Sequence, residues 1–396
     1  ELNPRHKKHM KMRHSFHILT LASVPLLLAC PPKANEEDSG LGGDVDTDTD
    51  TDTDTDDTDT GDTDNPTAGE TTALVATVSD DYTTGTLATV SLSNWTVTDE
   101  ITTIAADPGL SVDDGYAFIV GRYGYDYVRV YEPGTWDEPI LEISTGSNPY
   151  DVHICEDKMF VSLYGENYIS VYDMESGLVT GAVDLSTYDP GDGTPDMGNM
   201  VESNGKLYTG IGRFDSSWTS QGGYVLEIDC ASETVTNEWE AGLNTAVSAW
   251  PAEPTKVLVQ TGEYYDTTDG ALMVLDTTTG TMGEPIVSES DLGEDLAAVG
   301  AGKDNAFVVT MDDSYGYHMY CVDLKTNETT EVESTNNYIS NMTVNDAGEA
   351  WIVARPGWAD STSTSGVIVY DIDACSSLTG SDWLSTVLSP SSVAFY

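Results

Sequence analysis

The chain has 396 residues, with 68 acidic against 15 basic side chains, a formal charge of −53 and 36 glycines. That balance argues against nucleic acid as a partner, which needs a basic footprint. The length exceeds one ordinary hydrophobic core, so two domains or a repeat architecture is expected.

The first segment reads as an address. Lys11 and Arg13 precede an apolar run from Ile18 to Ala29. That run is too short to span a bilayer, which takes about 20 residues, and fits a secretory signal over residues 1–29. The true start is expected at Met10 or Met12. The run ends in Leu27-Leu28-Ala29-Cys30, which resembles the bacterial lipobox. The resemblance implies acylation of Cys30 and export. Pro31, in place of the Asp associated with inner-membrane retention, favours a lipid anchor in the outer membrane, on its periplasmic or cell-surface side. A plain cleaved signal with an incidental cysteine is the alternative.

Residues 30–69 carry a Thr-Asp alternation from Asp44 to Asp64 with no apolar side chain after Val45. Nothing there can be buried and neighbouring aspartates repel, so a disordered, extended tether is expected. The run lacks the turn glycine and closing Glu of an EF-hand loop. Weak, diffuse Ca²⁺ binding by the acidic regions is the expectation, with no cofactor. The charge continues beyond the tether: residues 65–396 hold 53 acids against 9 Lys or Arg.

From Thr72 onward a β-branched strand recurs, closing on Ser91, Glu132, Asp173, Asp229, Asp276, Asp323 and Asp371 at steps of 41 to 56 residues. Each step holds four strands and their turns, the size of a propeller blade. The acids at the strand exits read as turn formers. Six repeats have a further hairpin upstream. The first has only the strand Ala73–Ser79, without an inner partner. Residues 389–396 match residues 147–154, the inner strand of the third repeat, and are predicted to complete the first. Residues 70–396 are therefore expected to form an all-β, seven-bladed β-propeller closed by the C-terminal strand, with no open edge.

The stretches ISVYDMESGLVTGAVDL and LMVLDTTTGTM resemble the YVTN-type repeats of bacterial exported proteins, and more distantly quinoprotein and WD-repeat blades. The likeness implies the fold and leaves the function open, since such propellers host binders, lactonases and redox enzymes.

Two histidines follow the signal, His153 and His318, on different blades. A three-histidine metal site is thus excluded, and no nucleophile elbow, P-loop or Rossmann fingerprint is present. A carboxylate-only cation site in the central channel stays open, with no ligands singled out. The loops joining the second and third strands of each blade all carry aromatics. These are Tyr82, Tyr123, Tyr125, Tyr164, Phe214, Trp218, Tyr264, Tyr265, Tyr315, Tyr317 and Trp358, joined by Arg122, Arg213 and Arg355. Aromatics and arginine are enriched at binding hot spots, so this face is the candidate for an unknown glycan, peptide or protein ligand. Packing between blades is the alternative.

Cys155, Cys230, Cys321 and Cys375 allow three disulfide connectivities. The neighbouring-blade pairs 155–230 and 321–375 are preferred, with free buried thiols as the alternative. The sequence is read as a monomeric, non-enzymatic recognition or scaffolding lipoprotein, touching the membrane through its anchor only. The alternative is an exported propeller enzyme, either lactonase-like and metal-dependent or dehydrogenase-like with a quinone cofactor.

Overall fold

A computed structural model describes residues 70–357 and 364–396; the leader, Cys30, the Thr-Asp tether and Trp358 lie outside the described residues. The chain forms seven antiparallel sheets in a propeller arrangement. Blade 1 runs Ser389–Phe395, Thr72–Val78, Gly85–Ser91, Val97–Ile104 from the axis outward. The inner strands of blades 2 to 7 are Pro108–Asp113, Pro149–Cys155, Met197–Ser203, Ala246–Ala249, Asp295–Ala301 and Tyr338–Val344.

The second strand of each blade is a nearly unbroken apolar run because both of its faces are covered. In Thr72–Val78, Ala73 and Val75 enter one cluster with Trp351, Val353 and Val369 of blade 7. Leu74 and Ala76 enter another with Ala117, Ile119 and Tyr131 of blade 2. The same alternation recurs one blade on, where Phe118 and Val120 face Val152, Met159 and Val161 of blade 3. The core is thus a ring of seven clusters, one at each joint between neighbouring blades. The axis is left to the inner strands.

Closure comes from the C-terminus. Ser389–Phe395 pairs with Thr72–Val78, with Ala73 opposite Phe395 and Val75 opposite Val393. The Tyr396 N–H donates to Thr72 O at 2.9 Å, and Thr72 N–H returns to Tyr396 O at 3.0 Å. The seam is then packed by Trp351, stacked on Trp95 at 5.4 Å and edge-on to Phe395 at 5.4 Å. The match of residues 389–396 to 147–154 is corrected by one position. The register breaks between Ser392 and Pro390 in blade 1 as it does between Asp151 and Pro149 in blade 3, so the two prolines are equivalent. The bulge is common to both strands; the offset comes from matching Ser389 with Ser147 when Pro390 and Pro149 are the equivalent pair.

Two joints carry covalent staples. Cys155–Cys230 crosses from blade 3 to blade 4, and Cys321–Cys375 from blade 6 to blade 7. The acidic strand exits are turn formers: Asp173 Oδ1 accepts Ser176 N–H at 2.8 Å, and Asp229 Oδ1 accepts Ser232 N–H at 2.9 Å. The Ser176 hydroxyl and amide hold Asp173, and the Ser232 amide and hydroxyl hold Asp229, below the usual carboxyl range.

Removing Ser389–Tyr396 is expected to bare the Thr72–Val78 edge and to forfeit about 1.5–3 kcal/mol for each large apolar side chain, such as Phe395, that loses its burial. Calorimetry should show a lost or sharply lowered cooperative transition, with aggregation. A truncated monomer as stable as the full chain would contradict the closure.

Candidate functional site

The first residue of each inner strand lies opposite the last residues of the second strand, as in Pro108 with Gly121, Pro149 with Leu163 and Tyr338 with Arg355. The seven inner strands therefore run in one direction, and the loops after the second strands surround their starting end. Between them lies an axial channel of about 660 Å³, walled by residues of all seven inner strands. Tyr82, Arg122 and Arg355 line it together with Tyr150 and Tyr338.

Neighbouring inner strands do not pair with each other, so their polar backbone needs side-chain partners. Ser111 Oγ donates to Val152 O at 3.2 Å and Thr343 Oγ1 to Val393 O at 3.0 Å. Asp151 bridges in the same way, accepting Met200 N–H at 2.8 Å and Val152 N–H at 2.9 Å. Burial nonetheless pushes its carboxyl above the ordinary value. Ser392, the blade 1 counterpart of Asp151, has its hydroxyl buried and unpartnered among the described residues. An unmade hydrogen bond on a channel wall is a group that a bound molecule can satisfy.

His153 lies two residues along the same strand, which puts it on the face of Asp151. Its Nδ1 is 3.0 Å from Asp113 Oδ2 of blade 2, and that oxygen also accepts Ile154 N–H at 2.7 Å. The second bond fixes the carboxylate, and the carboxylate fixes the ring. Desolvation alone would favour the neutral imidazole. Asp113, Asp151 and Glu202 outweigh it together, and the His153 pKa rises above 6.5. With Nδ1 committed to Asp113, the proton-accepting position of the neutral ring is Nε2.

The mouth holds the cations. Arg122 donates to Asp107 Oδ1 at 2.7 Å and sits 5.2 Å from the Tyr150 ring centroid. Arg355 is only 5% exposed, lies 4.6 Å from the Tyr82 ring centroid, and reaches Asp80 Oδ1 at 4.0 Å. Burial raises the Tyr338 phenol, while both arginines pull it back down, so the two guanidinium groups act on one point of the mouth.

The other loop residues divide. Tyr123, Tyr125, Trp218, Tyr264, Tyr265 and Tyr315 stand exposed on the rim. Tyr317 is buried, edge-on to Tyr338 at 6.1 Å. Arg213 does not join the other two arginines, because its guanidinium donates to the carbonyls of Tyr188, Gln221 and Gly222. Phe214 is half-buried beside it, and Tyr164 is half-buried beside Asp196, whose carboxyl desolvation pushes up to about 6. Trp358 lies outside the described residues. Sequence reasoning missed Tyr150, Asp151, Asp113, Glu202 and Tyr338. Asp113, Glu202 and Tyr338 sit singly in their strands and Tyr150 and Asp151 share one, with no local pattern to mark them.

No family model matches the sequence, and no curated protein matches it. Solved structures do. A putative 6-phosphogluconolactonase from Bacteroides uniformis matches with a TM-score of 0.59 and 11% identity, over 83% of this chain and 100% of that one. Another from Bacteroides fragilis gives 0.59 and 13%, over 84% and 99%. The periplasmic gluconolactonase of Pseudomonas aeruginosa gives 0.51 and 14%, over 82% and 98%. At such identities the likeness establishes the propeller fold. It also corrects the expectation of a non-enzyme, since three of the matching propellers carry lactonase names. That expectation rested on the lack of a local catalytic motif, whereas the channel draws its polar groups from several blades.

The Asp113→Asn substitution should lower the His153 pKa by about one pH unit, the ordinary effect of losing an adjacent opposite charge. Imidazole proton NMR across a pH titration reads this directly. An unmoved pKa would mean that Asp113 does not hold the ring.

Proposed function

We propose that the chain is an exported propeller enzyme that hydrolyses a sugar-acid lactone in its axial channel. The observation that carries the reading is the aligned His153 with its Asp113 partner below a mouth holding Arg122 and Arg355. Lactone opening needs a base to deprotonate a water as it attacks the ring carbonyl. In this reading neutral His153 takes the water's proton at Nε2 as the water oxygen bonds to the carbonyl carbon. Asp113 stabilises the imidazolium that forms, and the imidazolium returns the proton to the ring oxygen as the acyl C–O bond breaks. Arg122 and Arg355 hold the anionic or hydroxyl-rich end of the substrate. From the level of Tyr150 to that of His153 is about 10 Å along an extended strand, the length of one sugar acid with its substituent. The reading gives the acid–base work to protein groups of the channel.

Export is supported by the two disulfides, which persist in oxidising compartments. The periplasmic name of one structural relative and the likeness to YVTN-type exported repeats point the same way. In the same reading the domain hangs from an acylated Cys30. The Cys30→Ser variant should move the protein from the membrane to the soluble fraction of fractionated cells. Equal membrane retention would argue against the anchor.

Hydrolysis of glucono-δ-lactone and of its 6-phosphate, followed by pH-stat against the spontaneous rate, tests the enzyme reading. The kcat/KM should rise with pH through a value above 6.5, because the base works only when neutral. His153→Ala should cost about 10²- to 10⁴-fold in kcat, and Arg122→Ala should raise KM more than it lowers kcat. A wild-type rate no faster than the spontaneous reaction on both lactones would overturn the proposal.

A further inference from the structure

Six of the seven loops on the channel-mouth face are described, and five of them hold an exposed aromatic at a backbone position that side chains avoid. Tyr82, Tyr123, Trp218, Tyr265 and Tyr315 have φ of 54°, 43°, 58°, 73° and 65°. Their exposure runs from 48% at Tyr315 to 73% at Tyr123. For a bulky residue the left-handed region is an outlier, and Gly or Asn is its ordinary occupant.

Each of the five is held there. Tyr82 N–H donates to Ser79 O at 2.9 Å, Trp218 N–H to Asp215 O at 2.7 Å and Tyr315 N–H to Asp312 O at 3.0 Å. The other two are pinned from the next blade: Tyr123 N–H donates to Asn148 Oδ1 at 2.8 Å and Tyr265 N–H to Asp295 Oδ2 at 2.8 Å. A strained backbone and a bare ring in one residue are two costs. Packing offsets them only in part: the Arg355 guanidinium lies over Tyr82 at 4.6 Å, Tyr265 meets Tyr264 at 6.4 Å and Tyr315 edge-on at 6.3 Å, and Trp218 meets Phe214 at 6.2 Å, yet all five rings stay exposed. Strain retained in this way marks positions where the ring is needed outward.

We propose that these five rings form a docking rim for a neutral polysaccharide lying across the channel mouth. The setting of the rings and the charge around them select this occupant. Tyr265 meets Tyr315 at 6.3 Å, but no ring contact joins Tyr82, Tyr123 or Trp218 to another of the five among the described residues, so they do not form the one apolar groove that a hydrophobic peptide or a lipid would require. Three are set among small or polar neighbours, as in Asp81-Tyr82-Thr83, Ser217-Trp218-Thr219 and Ser314-Tyr315-Gly316, while Tyr265 follows a second exposed ring, Tyr264. A pyranose chain presents the same alternation, an apolar ring face beside hydroxyls. The charge selects against a polyanion, because 53 acids to 9 Lys or Arg over residues 65–396 repel it. The rim does not depend on the lactone chemistry of the channel.

Tyr82 also lines the channel, so the test uses Trp218→Asn, Tyr265→Asn and Tyr315→Asn, singly and combined. The protein is run by affinity electrophoresis through native gels containing hydroxyethylcellulose, galactomannan, alginate or no polymer. Retardation by at least one neutral polymer and none by alginate is expected. The triple variant should bind at least tenfold more weakly, with a Tm equal to or above the wild type, because Asn takes the left-handed conformation without the ring. No retardation by either neutral polymer, retardation by alginate, or a triple variant that binds like the wild type would overturn the proposal. So would a triple variant whose Tm falls by several degrees, which would make the rings packing elements.

Discussion

Everything in this molecule depends on one strand pairing, that of Ser389–Phe395 with Thr72–Val78. Within a blade the strands are laddered by hydrogen bonds; between blades there is no ladder, and seven apolar clusters do the joining with scattered side-chain hydrogen bonds and two disulfides. Such a stack has two ends unless something joins them. The C-terminal strand does so by completing blade 1 with residues more than 300 positions away from its partner, and Trp351, Trp95 and Phe395 then pack the seam. The channel is a consequence. Its walls come from seven inner strands that touch one another only through side chains, so an open ring would have no cavity and would not hold Asp113 against His153.

The two disulfides fit the same view. They cross the joints between blades 3 and 4 and between blades 6 and 7, closing loops of 75 and 54 residues. Loops of that length restrict the unfolded chain by an amount on the order of 4 kcal/mol each in the chain-entropy account. The acids are used structurally as well. Asp173, Asp229, Asp276 and Asp323 bind turn amides and stay well ionised. Against that background the burial of Arg355 in the channel mouth stands out, since a cation is scarce here and burying one is costly.

Much of the fold was legible because a propeller repeats itself. Seven strand exits at similar steps fixed the blade count, and a first repeat lacking its inner strand pointed to the C-terminus. The cysteine pairs and the shared loop face followed from blade order. The channel was not legible. Asp113, Asp151, His153 and Glu202 belong to three blades and share no motif; only the ring makes them neighbours. The loop position of Arg213 resembled that of Arg122 and Arg355, yet Arg213 lies two residues past the end of its strand with a φ of 51°, and its guanidinium turns onto backbone carbonyls. Motif absence was therefore a poor guide to chemistry, because a site assembled around an axis leaves no local signature.

Native-state hydrogen exchange, read by mass spectrometry, addresses the closure most directly. Peptides covering residues 72–78 and 389–396 should exchange as slowly as the central strand Tyr116–Gly121, because opening the seam would unfold the ring as a whole. Exchange of residues 389–396 within seconds, while the central strands stay protected, would show a terminal strand that frays independently and would contradict the account.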